Sequence, residues 1–236
     1  MFRGDHPELR RVVARALALA ADVGHSRAGS EHLLLALTTT GGAVATVLAE
    51  YGVTTAAVDE AVDLAGPAGA GAAADRDTLA PLGIDVDRLL AVSSWAALLD
   101  QPPVREPVLP FGAAAARRRC ARMSPPLGLD AQAAYEASLR LALARREREH
   151  RPEHLALGLV ALDPGVAWVL NTADVDPQRL LGALATAFPP PHRNPLLRVE
   201  RRLGQRLRQH DIVRRYQHTT GRLATAGPAV ATLITG

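Results

Sequence analysis

Two glutamate–histidine pairs are the residues of this sequence that are best placed to do chemistry. Glu31-His32 and Glu153-His154 each stand just inside a predicted helix, where a carboxylate suits the positive end of the helix dipole. A carboxylate in this place can also bind a guanidinium group through two hydrogen bonds. Two interpretations therefore stay open, a structural role in the first turn and direct contact with a ligand. The histidines are expected to pack or cap, because a single Glu-His pair is a weak metal signal.

The second pair lies within His150-Arg151-Pro152-Glu153-His154, which formally matches the H-x-x-E-H pattern of inverted zinc proteases. That chemistry needs both histidines on one face of one helix. Pro152 disfavours a helical conformation at the residue before it, and Ala28 stands in the first copy where the second has His150. We therefore expect no metal site, no catalytic residues and no cofactor.

The two pairs belong to an internal repeat. Residues 30–62 align without a gap with residues 152–184 and share 11 identities in 33 positions. Each copy is predicted to be a run of short helices, over 6–23, 31–38, 43–51 and 55–64 in the first and over 130–146, 153–161, 165–171 and 177–187 in the second. Ser30 is predicted to cap its helix, and Pro152 to occupy the first helical position, where its missing N–H costs nothing.

The rest of the chain falls into an insert and a tail. We predict repeat 1 at residues 1–65, the insert at 66–126, repeat 2 at 127–188 and a basic C-terminal segment at 189–236. Within the insert, the Gly/Ala-rich residues 66–77 are expected to be mobile, residues 79–99 to contain short helices, and the Pro/Arg-rich residues 101–126 to form a loop.

Composition excludes several kinds of site. All 27 Lys+Arg residues of the 236-residue chain are arginine, so it has neither a P-loop lysine nor a Schiff-base lysine. The one cysteine, Cys120, cannot form an intramolecular disulfide, which suits a cytoplasmic location. With 48% hydrophobic but only 3% aromatic residues, the core must be mainly Ala, Leu and Val, which favours an all-α fold. No apolar run approaches the roughly 20 residues of a membrane span.

The formal net charge of +3 hides two basic segments. Residues 193–222 contain nine arginines against Glu200 and Asp211, and residues 117–122 read RRRCAR. The body of the protein is therefore acidic. Apolar residues at helical spacing in the C-terminal segment fit either a helix that packs on the domain or a basic contact surface.

The motifs of the first copy carry a family resemblance. Met1-Phe2, R-R-V-V at 10–13, S-E-H-L-L-L-A-L at 30–37 and V-A-x-V-L at 44–48 resemble the Clp N-terminal repeat, the all-helical double-repeat domain of ClpA- and ClpC-type unfoldases. The resemblance covers roughly residues 1–65 and 127–187 and implies two pseudo-symmetric four-helix repeats. The long insert departs from the family pattern, and no ATPase motif follows, so the resemblance implies a stand-alone recognition domain.

The resemblance also implies where ligands bind. In ClpC-type relatives the glutamate of each E-H motif contacts the guanidinium of phosphorylated arginine, a role that would fall to Glu31 and Glu153 beside His32 and His154. The relatives' phosphate-binding threonines are replaced by His6, which can donate one hydrogen bond, and by Gly128, which has no side chain. Relatives also bind cyclic peptide antibiotics, for which Phe2 is the candidate contact.

We therefore expect a non-enzymatic module that binds client proteins or peptides, including arginine-phosphorylated ones, and supplies them to a Clp unfoldase or withholds them from it. The alternative is a nucleic-acid-associated regulator. Its basic contact surface would consist of Arg198, Arg201, Arg202, Arg206, Arg208, Arg214 and Arg215.

Overall fold

The part of the chain that the structure describes is all α-helical, as predicted. This computed structural model describes residues 2–91, 124–191 and 205–235. Repeat 1 comprises α1 (Pro7–Asp22), α2 (Ser30–Thr39), α3 (Ala43–Glu50) and α4 (Thr55–Ala65), and the insert adds α5 (Gly69–Leu79) and α6 (Val86–Ala91). Repeat 2 comprises α7 (Leu129–Ala144), α8 (Pro152–Leu162), α9 (Pro164–Thr172) and α10 (Pro177–Ala187). The C-terminal segment contributes α11 (Gln205–Thr220) and α12 (Val230–Thr235). The eight repeat helices end within two residues of their predicted bounds.

The second helix of each repeat lies at the centre of the core. Almost every residue of α2 and α8 is buried, whereas α1 buries one stripe at the spacing expected of an amphipathic helix. Pro152 begins α8, as predicted. Ser30 does not cap α2: Gly29 is the N-cap, and the Ser30 hydroxyl donates instead to Asp163 of the second repeat at 2.9 Å. The prediction failed because a partner 133 residues away competes for that hydroxyl.

Two short parallel bridges join the repeats in a pseudo-symmetric way. Asp5, just before α1, pairs with His150, just before α8, and Leu127, just before α7, pairs with Ala28, just before α2. Each Glu-His pair therefore stands close to the start of the other repeat's first helix.

The prediction that residues 66–77 are mobile is wrong for most of that stretch, since α5 begins at Gly69. Ala70, Gly71, Ala72 and Ala73 are buried. A side chain at Gly165 of α9 would come within 2.7 Å of the backbone nitrogen of Gly71, so the small residues permit a close helix crossing. The Gly/Ala-rich composition, which resembles that of a linker, is therefore needed for the packing of α5 against α9. Of the helical prediction for 79–99, residues 80–82 form a 3₁₀ turn and α6 follows, while residues 92–99 and the predicted loop lie outside the described residues, save 124–126.

The described part of the C-terminal segment packs on repeat 2. Ile212 and Tyr216 of α11 are buried against α7, and Leu233 and Ile234 of α12 are also buried. Backbone N–H groups of Thr225 and Ala226 donate to carbonyls at the end of α8. This segment is part of the core.

No single helix among residues 2–91, 124–191 and 205–235 has the length and hydropathy of a membrane span. The consecutive helices α2 and α3 reach that length and hydropathy only when the two are counted together, and so do α8 and α9. The chain bends by 101° between the first two helices and by 87° between the second two.

Candidate ligand-binding site

Both histidines of the Glu-His pairs cap their own helices. Nδ1 of His32 accepts the N–H of Gly29 at 3.1 Å, and Nδ1 of His154 accepts the N–H of Arg151 at 3.1 Å. The structure thus bears out the expectation that these residues pack or cap, and both are fully buried.

Each histidine also faces residues that could ligate a metal ion. The groups are His25, Glu31 and His32 in repeat 1 and Glu147, Glu153 and His154 in repeat 2, with ligand atoms within 4.8 Å of one another. In repeat 2, Nδ1 of His154 accepts a backbone N–H, so the neutral ring carries its proton on Nε2, which lies 2.9 Å from Oε1 of Glu147. A cation bound to Nε2 would move that proton to Nδ1 and break the cap, so the geometry favours capping there. In repeat 1, Nε2 of His32 lies 3.1 Å from Nδ1 of His25, and Nδ1 of His32 lies 2.9 Å from Oε1 of Glu31.

The zinc-protease pattern is not assembled either. His150 precedes α8, and its two ring nitrogens contact Ser138 and Asp5. It does not share a helical face with His154.

The carboxylate of Glu31 is buried by the start of α5. Only 3% of this residue is exposed, and its carboxylate lies against Gly29 and Gly69, where a Cβ at Gly29 would overlap it. Burial alone would raise the pKa of Glu31, but the His32 ring and the backbone N–H groups of Glu31 and Ala70 hold it below its ordinary value. Glu31 therefore accepts a hydrogen bond in the first turn of α5 and supplies the negative charge that a helix N-terminus favours. We call the region of Glu31, His32 and the start of α5 the closed site.

An arginine of the C-terminal segment binds both α5, the helix that covers the closed site, and α7 of repeat 2. Nε of Arg222 donates to both carboxylate oxygens of Asp75 in α5 at 2.9 Å, and its Nη1 contacts Asp130 in the first turn of α7. Burial raises the pKa of Asp130 to about 7, although the Arg222 guanidinium draws it down. One guanidinium thus ties the insert to repeat 2.

A second buried carboxylate completes this junction. Asp163, between α8 and α9, accepts hydrogen bonds from the hydroxyls of Ser30 and Tyr216 and from the N–H of Val166, each at 2.9 Å. Burial raises the pKa of Asp163, while these three donors stabilise its charge. The Asp163 side chain therefore connects repeat 1, repeat 2 and the C-terminal segment.

Glu153, the equivalent of Glu31, is partly exposed, and no helix among residues 2–91, 124–191 and 205–235 covers it as α5 covers Glu31. The residue equivalent to Gly29 is Arg151, so a Cβ occupies the space into which the Glu31 carboxylate folds back. Beside it, burial lowers the pKa of the Arg145 guanidinium, while Glu147 and Glu153 raise it. Arg145 is anchored by donating from Nε to the Leu233 carbonyl at 2.6 Å.

The segment before α1 lies along the loop before α8 and brings His6 to the same place. The N–H groups of Arg3 and His6 donate to the carbonyls of Arg148 and His150 at 2.7 and 2.8 Å, and the N–H of His150 donates to Gly4 at 2.9 Å. His6 is the N-cap of α1, where Nδ1 accepts from the N–H of Glu8 at 3.3 Å. Its Nε2 then carries the proton of the neutral ring. We call the region of Glu153, His154 and His6 the open site.

Exposed arginines lie on the two segments that form the open site. Arg3, Arg148 and Arg151 lie on the two paired segments, and Arg3 and Arg151 both approach Glu149, at 3.9 and 3.2 Å. Phe2 is half-buried in the same N-terminal segment. Of the residues predicted to bind ligand, Glu153, His154, His6 and Phe2 thus belong to this region, while Glu31 and His32 belong to the closed site.

The residues predicted to form a basic contact surface are only partly described. Arg198, Arg201, Arg202 and the RRRCAR stretch lie outside the described residues, and for Arg206 and Arg208 only the helical backbone of α11 is described. Arg214 is 79% exposed, whereas Arg215 is mostly buried and donates to both oxygens of Asp211 at 3.2 Å. The nucleic-acid alternative stays a prediction.

The sequence interpretation missed the polar residues beneath both sites. One signal was available: in the repeat alignment, Asp5, Ser138 and His150 stand opposite Leu127, Ala16 and Ala28. Polar residues at positions where the other copy is apolar indicate a buried network. No sequence motif around residue 222 indicates that Arg222 binds Asp75 of α5.

A protein family and a solved structure are similar to parts of this chain. Residues 6–99 match the family described as the Clp repeat (R) N-terminal domain. The crystal structure of the N-terminal domain of the caseinolytic protease associated chaperone ClpD from Arabidopsis thaliana is similar with a TM-score of 0.48 and 16% sequence identity, over 79% of this chain and 95% of that chain. No curated protein matches the chain.

Proposed function

We propose that this chain binds protein or peptide ligands at the open site alone. The premise is the match of residues 6–99 to the Clp repeat N-terminal domain, which is itself non-catalytic and generally binds substrates or adaptors of Clp chaperones. The single observation that carries this proposal is the difference between the two glutamates. Glu31 is buried under α5 and bonded to its backbone, whereas Glu153 is partly exposed.

The chemistry of the open site suits a ligand with a cationic and an anionic part. A partly exposed carboxylate favours a guanidinium, which it can bind through two hydrogen bonds. His6 and the exposed arginines Arg3 and Arg151 supply donors for an anion, and the N-termini of α1 and α8 add their dipoles. An arginine-phosphorylated segment of a client protein carries both groups. The client would then be supplied to, or withheld from, a Clp unfoldase.

Phe2 supports a second class of ligand at the same site. It is half-buried in the segment that pairs with the loop before α8, so its exposed edge is available to an apolar ring. We propose that cyclic peptides of the kind that bind Clp N-terminal domains compete with phosphorylated segments here.

Calorimetric titration of the full chain with phosphoarginine tests the proposal. We expect one class of site, and we expect Glu153→Ala to weaken binding at least about tenfold, since a charged hydrogen-bonded pair is lost. Glu60→Ala is the matched control, because it removes an exposed carboxylate of α4, which is not part of the open site.

Two results would contradict the proposal. The first is the absence of measurable phosphoarginine binding to the folded wild-type chain. The second is equal affinity of the Glu153→Ala and Glu60→Ala variants, which would place the ligand elsewhere.

A further inference from the structure

A chain of four hydrogen-bonded side chains lies beneath the open site. Nε2 of His150 is 2.8 Å from Oγ of Ser138, Nδ1 of His150 is 3.1 Å from Oδ1 of Asp5, and the Tyr135 hydroxyl donates to Oδ2 of Asp5 at 2.6 Å. The order of serine, histidine and aspartate is that of a hydrolase triad. Ser138 is 0% exposed, however, so no substrate reaches its hydroxyl.

The fold does not require polar residues at these positions. The pseudo-symmetric equivalents of Asp5, Tyr135, Ser138 and His150 are Leu127, Val13, Ala16 and Ala28. These four residues are buried and apolar, and they support the same parallel bridge at the closed site. A buried polar network is no more stabilising than an apolar core of the same shape. Its presence at the open site alone therefore points to a role beyond packing.

The network can take up a proton without losing a hydrogen bond. The Ser138 hydroxyl has two acceptors within reach, Nε2 of His150 and the Tyr135 carbonyl oxygen, each at 2.8 Å. When His150 is neutral, Nδ1–H donates to Asp5 and Nε2 accepts from Ser138. When His150 is protonated, Nε2–H donates to Ser138, whose own proton turns to the Tyr135 carbonyl.

The network also lies one residue from the groups that form the open site. Asp5 precedes His6, the N-cap of α1, and His150 precedes Arg151, the N-cap of α8. Of the backbone hydrogen bonds between these segments, two join His150 to Gly4 and His6, and one joins Arg3 to Arg148. A change at the His150 ring therefore acts directly on the two helix starts.

We propose that His150, held between Asp5 and Ser138, is a positioning residue for the open site, and that its protonation changes the placement of His6 and Glu153. What the site binds rests on the proposed function above, but the positioning role does not, because it is a property of the ligand-free protein.

The groups that face His150 set the pH range of this change. Burial lowers the pKa of His150 below its ordinary value of 6.5, Asp5 raises it, and His154, whose ring lies 6.1 Å away, lowers it further. Tyr135 packs edge-on at 5.1 Å. Because the folded pKa is below the unfolded one, His150 contributes stability that is present above pH 6.5 and is lost as the pH falls toward its folded pKa.

Nuclear magnetic resonance of the ligand-free, full-length protein tests the proposal. We expect the backbone amide signals of His6 and Glu153 to titrate with the same midpoint as the His150 ring. The Ser138→Ala variant copies Ala16 of the first repeat and removes the acceptor of the charged ring. We expect it to lower the midpoint by about 0.5 to 1 pH unit, a three- to tenfold change in the protonation constant, at the ring and at both amides together.

The quadruple variant Asp5→Leu, Tyr135→Val, Ser138→Ala, His150→Ala installs all four first-repeat residues and serves as the control. It should fold, and the amides of His6 and Glu153 should show no transition at the wild-type midpoint. Amide signals that do not follow the ring in the wild type, or that keep their midpoint when Ser138→Ala shifts the ring, would overturn the proposal. Phosphoarginine plays no part in this experiment, so failure to bind it would overturn the proposed function alone.

Discussion

Replacing Arg222 with alanine is expected to lower the free energy of unfolding by about 3 kcal/mol, because removal of one partner leaves buried charges unpaired. The guanidinium binds Asp75 of α5 and Asp130 of α7, and both carboxylates lose their cation together. The pKa of Asp130, already raised to about 7 by burial, rises further without Arg222. Chemical denaturation should therefore show a larger loss at pH 8, where Asp130 is ionised in the wild type, than at pH 6.

The control for this variant is Arg214→Ala. Arg214 is exposed, and its contact with Asp211 is a surface pair at 3.7 Å, so the change should stay within about 0.5 kcal/mol. If Arg222→Ala cost no more than Arg214→Ala, Arg222 would not be what fastens α5 to repeat 2.

Replacing Gly29 with alanine is expected to cost about 2 kcal/mol, because an added methyl group overpacks a fixed site. The backbone at Gly29 has φ −81° and ψ −179°, which alanine adopts without strain. Its Cβ would, however, overlap the Glu31 carboxylate and push it away from the Ala70 N–H at the start of α5. Denaturation measures the cost, and faster hydrogen exchange at the Ala70 amide locates it.

Gly182→Ala is the matched control for that change. Gly182 lies within α10 and a Cβ there meets no atom within 4 Å, so alanine should stabilise the protein by up to about 1 kcal/mol through helix propensity. If Gly29→Ala left both the stability and the exchange rate of Ala70 unchanged, the closed state of the Glu31 site would be refuted.

The sequence predicts the helices correctly where the signals that begin and end them are local. Proline at the first helical position, glycine after a helix and the 3.6-residue spacing of apolar residues all act within one or two turns, so the repeat helices were predicted almost to the residue. Packing or capping was also expected of His32 and His154, and each accepts the N–H of the residue three positions earlier. Ser30 shows the limit of such reasoning, since its hydroxyl turns to Asp163 in the other repeat.

The difference between the two sites could not be predicted in the same way. The cover over Glu31 comes from Ala70 and is fastened by Arg222, and no short motif connects these residues to residue 31. The Gly/Ala-rich stretch was interpreted as a linker by composition, although alanine favours helix and small residues permit close helix crossings. The exchange of Gly29 for Arg151 was visible in the alignment, but its meaning depends on where a carboxylate folds in space.

If the chain binds tagged clients as proposed, the burial of Glu31 limits how strongly one molecule can hold a client that carries several tags. A domain with two working sites gains avidity, because the second contact forms at the high effective concentration set by the first. Under the proposed function this chain offers one point of attachment, so additional tags on one client would raise the chance of an encounter without lengthening the bound state. A client that must be released quickly is better served by such univalent contact, and high retention would require several copies of this chain on the same client.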